Sequence, residues 1–342
     1  MKLLPVKKRK IAVLFSGGLG DTIMVVPLLK ELKRKQFHIT CVFFAAHSND
    51  CIFDTSLFDK KVFIKSRLHF LWYAVFGYKR FANFFINHMG AGMFVKQCIS
   101  LTTKRVTQNI YYNRATKRDK VIINSFTDPE QNLNLLYSKY NSLIKDMASI
   151  YIAAPDSKSN TFTGQYYIVQ LSSGNNKTPF KNWPFKNWLL IIKQLCELRP
   201  DIDFIIPGDR FEHHYIEELD KLQLKNCKVL IGKTSVQEIV AVIAGSQGYI
   251  GQDSGLMQIA AALQKRTFSI FGATDEKLVG YQHIDPSNHK IITTNISCRP
   301  CASLKGFNTS RVTNPLHCPD FACLTSISPI LVWEAINAHF KF

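Results

Sequence analysis

The sequence predicts an α/β protein of two domains, each built on a parallel sheet. Three observations carry this. Short apolar runs are each followed by a polar turn and then by a stretch with helical spacing. The pattern recurs in both halves of the chain, which implies sheets covered by helices on both faces. The length of 342 residues accommodates two such domains, and a hydrophobic content of 46% supplies their cores.

The first element is Ile11-Ala12-Val13-Leu14-Phe15, read as a buried strand that ends in Ser16-Gly17-Gly18-Leu19-Gly20-Asp21. A helix is predicted from Thr22 to Lys35, on the spacing of Ile23, Val26 and Leu29 and on its basic end. Pro27 lies inside it, removes a backbone donor and is expected to bend it. Residues 39–44 form the next strand and complete a βαβ opening. The glycines do not follow GxGxxG and no acidic residue closes the second strand, so a dinucleotide site is not expected here. Asp21 stands where a strand gives way to a helix; it reads as an N-cap or as a carboxylate set in the crevice beyond the strand. Residues 67–99 are aromatic and apolar with basic punctuation, and are expected to form core helices with one membrane-facing edge. Val121-Ile122-Ile123 reads as a later strand, and the polar stretch 153–161 as a linker. The expected division is 1–155, 162–326 and a C-terminal helix at 327–342.

In the second half, 166–171 is a strand, 172–178 a polar loop, and Lys181-Asn182-Trp183-Pro184 precedes a helix at 185–198. Strands at 204–208 and 229–232 lead into helices at 209–219 and 235–244, the latter capped by Thr234 or Ser235. A last helix is expected at 328–340. The central stretch is Gly251-Gln252-Asp253-Ser254-Gly255-Leu256-Met257-Gln258, between the strand 248–250 and an Ala/Leu helix, with a further strand at 267–271. Asp253 or Ser254 is a natural N-cap. Small Ser254 and Gly255 let a ligand approach the backbone, and the helix N-terminus suits a phosphate. An ordinary capped helix explains the same residues.

The net charge of +18 is unevenly placed: residues 1–160 hold 25 Lys+Arg against 10 Asp+Glu, residues 161–342 hold 18 against 15. The first half should meet something acidic, such as a membrane surface, a phosphorylated glycolipid or nucleic acid. No recognition-helix pattern, zinc-finger histidines or RNP-like aromatic strand supports nucleic acid. No signal-like apolar region and no run of ~18 apolar residues is visible, so a cytoplasmic location is expected. Of nine cysteines, Cys298, Cys301, Cys318 and Cys323 cluster as C-x2-C, a gap of 16 residues, and C-x4-C. This spacing suits a structural zinc or iron, or a cluster of reduced thiols.

Taken in order, the strand into Gly17-Gly18-Leu19-Gly20-Asp21 with Pro27 and Leu28, Lys181-x-Trp183-Pro184, Gly232-Lys233-Thr234-Ser235, Asp253-Ser254-Gly255 and Phe271-Gly272-Ala273-Thr274-Asp275 resemble the ADP-heptose:lipopolysaccharide heptosyltransferases, glycosyltransferase family 9. The likeness spans about 11–335; the ordered set carries it rather than any one motif. It implies a GT-B fold, two Rossmann-like domains facing a central cleft, and inverting transfer with no cofactor for catalysis. It implies an ADP-sugar donor on the second domain. An anionic glycolipid acceptor would bind the first, at the cytoplasmic face of the inner membrane and without nucleic acid.

By the same resemblance Asp21 matches the catalytic base, which would take the proton of an acceptor hydroxyl. Lys181 matches a diphosphate-binding lysine that would offset charge on departing ADP. Asp253, Ser254 and Gly255 match the donor turn, Thr234 a nucleoside contact, Glu212 a partner for ribose hydroxyls, and Ser173 a further donor contact. Two departures stand out. Gln258 occupies the place of the family's usual His, and the 172–178 loop is longer than usual. Some relatives glycosylate autotransporter proteins, so a protein acceptor is the alternative; a non-catalytic ADP-sugar-binding protein is a third reading.

Overall fold

The computed structural model describes residues 10–15, 18–34, 36–44, 52, 55–73, 84–88, 146–155, 160–173, 178–301 and 318–342. The chain divides into two compact units, Met1–Lys145 and Asp146–Phe342. The break falls ahead of the polar linker, because Ile150 and Ile152 are buried and the Ile152 N–H donates to the Ala262 carbonyl at 3.0 Å, within the second unit.

The described part of the first unit contains β1 (Lys10–Phe15), β2 (His38–Phe44), β3 (Lys60–Ile64) and β4 (Phe84–His88). They form one parallel sheet in the order β3-β2-β1-β4. The helix expected at 22–35 is two helices, α1 (Leu19–Met24) and α2 (Val26–Arg34), parted at Val25. Pro27 is the second residue of α2, where a missing N–H has no intrahelical partner to lose, so the chain breaks before it rather than bending around it. A short α3 (Arg67–Trp72) is capped by Ser66, whose Oγ accepts from the His69 N–H at 3.1 Å. It buries Phe70 and leaves Leu68 and Trp72 exposed. The all-helical expectation for 67–99 is corrected by β4. Its aromatic run pairs along β1 from Ile11 to Phe15, and an apolar run this short cannot be told from a helix by periodicity. Val121–Ile123 lies outside the described residues.

The second unit holds β5 (Tyr166–Val169), β6 (Asp203–Ile206), β7 (Cys227–Val229), β8 (Gly248–Gln252), β9 (Arg266–Ile270) and β10 (His289–Ile292). The sheet runs β10-β9-β8-β5-β6-β7, all parallel. From β5 the chain lays strands outward on one side, then returns to add β8, β9 and β10 on the other. The order therefore reverses between β5 and β8, and a ligand crevice is expected beyond the carboxyl ends of these two strands.

The helix α4 (Phe185–Leu198) runs as predicted and buries Trp188, Ile191, Ile192 and Leu195. A 3₁₀ turn at Arg210–Tyr215 and a short α5 (Ile216–Asp220) replace the single helix expected at 209–219. Next come α6 (Val236–Gly245), capped by Ser235, and α7 (Gly255–Ala262), capped by Ser254. They are followed by α8 (Glu276–Val279), α9 (Ala322–Thr325) and α10 (Pro329–Phe340). The last helix belongs to the second unit's core, where it buries Val332, Ile336 and Phe340. Trp183 and Trp188 meet edge to face at 5.1 Å, and the Trp183 indole N–H donates to the Ile327 carbonyl at 3.0 Å.

Candidate active site

The switch-point crevice is floored by buried polar side chains that the sequence pattern did not single out. Gln252 ends β8 and is fully buried. Its Oε1 accepts from the Trp183 N–H at 2.7 Å and its Nε2 donates to the Leu171 carbonyl at 2.7 Å. One amide thus ties the segment after β5 to the segment carrying Lys181. Asn182 Oδ1 adds a second tie, accepting from the Ser173 N–H at 2.8 Å and its Oγ at 2.9 Å. Ser173 and Lys181 are thereby held at neighbouring places.

Beneath the turn 253–255 the Tyr249 hydroxyl lies 2.7 Å from Gln170 Oε1, 3.0 Å from Ser254 Oγ and 3.1 Å from the Gln252 carbonyl. Burial pushes this phenol well above its ordinary pKa, so it stays protonated as a hydrogen-bonding hub. Gly251 makes room for it: a Cβ there would meet Tyr249 Oη at 2.4 Å. Ser254 Oγ accepts from the Met257 N–H at 3.1 Å and caps α7. Its oxygen serves the helix, while the half-buried Gly255 and Leu256 present the helix N-terminus outward.

Lys181 Nζ stands 2.7 Å from Asp253 Oδ2, the lysine a quarter exposed and the aspartate buried. The pair leaves the turn close to neutral, so the positive end of α7 is not cancelled by Asp253. Gln258 is buried one turn along; its Nε2 donates to the Val279 carbonyl at 2.5 Å and its Oε1 accepts from the Tyr281 hydroxyl. Its amide therefore anchors α7 to the segment after α8.

Glu212 is 3% exposed. Its Oε2 accepts from the Asp209 N–H at 2.7 Å in a capping box, and its Oε1 accepts from Ser172 Oγ. Burial pushes its carboxyl up to about 7, with Asp209 adding to the shift and the backbone hydrogen bond opposing it. It links the carboxyl ends of β5 and β6. Thr234 follows β7, half-buried and further along the sheet. Ser173, Lys181, Asp253, Ser254 and Gly255 thus gather at the switch point, with Glu212 beside them, while the Gln258 amide is turned to Val279 and Tyr281. Asp21 lies in the first unit, in the opening turn of α1 beyond the end of β1.

The four clustered cysteines share one neighbourhood. Burial pushes the Cys323 thiol up to about 12, helped by the Cys301, Cys298 and Cys318 thiols and opposed by Arg299. Among the described residues no three His, Cys, Asp or Glu side chains are arranged to hold a metal ion.

The model of glycosyltransferase family 9 (heptosyltransferase) matches residues 130–308, just over half of the chain. The chain belongs to that family. Lipopolysaccharide heptosyltransferase 2 of Escherichia coli K12 is 26% identical over 180 residues, which are 50% of this chain and 46% of that protein. That alignment spans about half the relative's length. Among solved structures, the E. coli ADP-heptose LPS heptosyltransferase II superposes with a TM-score of 0.66 at 16% identity, covering 96% of this chain and 98% of that one. The iron-containing dodecameric glycosyltransferase TibC of enterotoxigenic E. coli gives a TM-score of 0.59 at 15% identity, covering 99% and 78%. These likenesses carry the fold, and the family 9 chain is of the GT-B class.

Proposed function

We propose that this protein transfers heptose from ADP-heptose to the inner core of lipopolysaccharide, with inversion and without a catalytic metal. The observation that carries the reading is the Lys181–Asp253 pair at the N-terminus of α7, at the point where the strand order reverses. A cation and a helix N-terminus converging there suit a diphosphate leaving group. In the proposed reaction Asp21 takes the acceptor hydroxyl's proton as the new glycosidic bond forms. The bond from the anomeric carbon to ADP breaks, and Lys181 with the α7 amides stabilises the charge that grows on ADP. Neither step is routed through the cysteine cluster.

Heptose and a lipopolysaccharide acceptor are favoured by the name of the relative that shares half of the chain, and ADP by that of the solved E. coli ADP-heptose LPS heptosyltransferase II. An anionic glycolipid at the cytoplasmic face of the inner membrane also fits the basic first half, 25 Lys+Arg against 10 Asp+Glu over residues 1–160. No helix among the described residues is long and apolar enough to cross a membrane, so the proposed contact is peripheral.

Mass spectrometry of reactions with a panel of nucleotide sugars, offered both a truncated lipopolysaccharide core and a protein acceptor, tests the reading. Heptose added to the core is the expected product, and transfer to protein alone would replace the acceptor. Asp21→Asn should bind ADP normally yet lose transfer. Turnover within about tenfold of the parent would remove the base from Asp21.

A further inference from the structure

The loop 271–275 leaves the carboxyl end of β9, the strand beside β8, and is held from two sides. Its Ala273 N–H donates to the Phe180 carbonyl at 3.3 Å, and a Cβ on Gly272 would meet that same oxygen at 2.7 Å. The loop thus lies directly on the residue before Lys181. It also carries a buried hydroxyl, Thr274 Oγ1, with no hydrogen-bond partner among the described residues. Such a group beyond the carboxyl end of β9 offers a hydrogen bond to a ligand atom.

What holds the loop is Arg299, whose side chain is 8% exposed. Its Nε donates to the Gly272 carbonyl at 2.5 Å and its Nη2 to the Thr274 carbonyl at 3.1 Å. Nη1 donates to the Thr294 carbonyl at 3.3 Å, and Nη2 pairs with Glu276 Oε2 at 2.9 Å. The Cys301 N–H adds a bond to the Ala273 carbonyl at 3.0 Å. A planar fork is matched to several fixed carbonyls in a way that a lysine ammonium is not.

We propose that Arg299 is a positioning residue for the donor pocket. It presses the 272–274 backbone onto Phe180, and so fixes Lys181 and the Thr274 hydroxyl where the donor's diphosphate and sugar meet them. The inference rests on the donor reading given above. Neither Arg299 nor Glu276 reaches the reacting atoms; both act through the loop.

The test is titration calorimetry of the full chain with ADP, beside its thermal midpoint. Arg299→Lys keeps the charge and loses the fork. It should weaken ADP binding about tenfold or more, raise the donor KM by a similar factor, and shift the midpoint little. A folded Arg299→Lys protein that binds ADP within about twofold of the parent overturns the proposal. If that variant does not fold, hydrogen exchange on the parent chain decides. ADP should slow exchange at 272–276, and unchanged exchange there overturns the proposal. A parent chain that binds no ADP at all would instead overturn the donor reading, and this inference with it.

Discussion

Lys181 sets the charge of the donor turn, and its partner shows how much depends on it. Lys181→Ala would leave the Asp253 carboxylate buried with no cation 2.7 Å away. Catalytic efficiency should fall by roughly a hundredfold, with ADP affinity falling too. Adding Asp253→Asn should recover part of the ADP affinity, because it removes the uncompensated negative charge facing the diphosphate; calorimetry on the single and double variants measures this. Glu212 carries a pH prediction. Its folded carboxyl, raised to about 7, binds a proton that the unfolded chain has already released. Its contribution to stability is therefore present below the unfolded pKa and lost as pH rises through about 7, on the order of 3 kcal/mol at most. Denaturant unfolding of Glu212→Gln between pH 5 and pH 8, on the order of these limits, should lack that slope. The position of Lys181 just ahead of Trp183-Pro184 was legible in the sequence. Gln252 and Tyr249 were not: a polar residue ending an apolar strand looks the same whether it faces water or bridges two loops.

Elements were easier to read than their partners. Strand–helix alternation located α4, α6, α7 and α10 to within a residue or so, because each has a clear apolar stripe and most have a capping residue. The split between α1 and α2 follows from Pro27 taking a first-turn place that periodicity does not encode, and β4 in an aromatic stretch depended on its pairing with β1. Within β8 the fold depends on one small residue. Gly251→Ala would drive a methyl into the Tyr249 hydroxyl and disturb the hub under Ser254. It should cost about 1–3 kcal/mol of stability and weaken ADP binding, both measurable in one denaturation and titration series. Tyr249→Phe should lose hydrogen bonds without a clash and be milder. On the other unit, α3 shows Leu68 and Trp72 one helical turn apart, 76% and 58% exposed, with Lys65 and Arg67 alongside. If this edge meets an anionic bilayer, Leu68→Glu with Trp72→Glu should lower sedimentation with phosphatidylglycerol vesicles several-fold and leave ADP binding unchanged.

At the scale of the whole molecule, charge and topology divide the work. The net +18 is concentrated before residue 161, while the switch-point crevice is built wholly after residue 145. Vesicle binding should fall steeply as salt rises if the first unit's charge is responsible, since the screening length is about 8 Å at physiological strength. Salt-insensitive binding would shift the weight to the apolar edge of α3. Two domains were legible from length and repetition; the position of the break was not, because it depends on Ile150 and Ile152 packing onto the second unit. One bond reaches further. The Trp183 indole holds the Ile327 carbonyl, 144 residues along the chain. A nascent chain that stops short of Ile327 would already have made every residue proposed to touch the donor, yet the Trp183 indole beside the Lys181 turn would lack its acceptor.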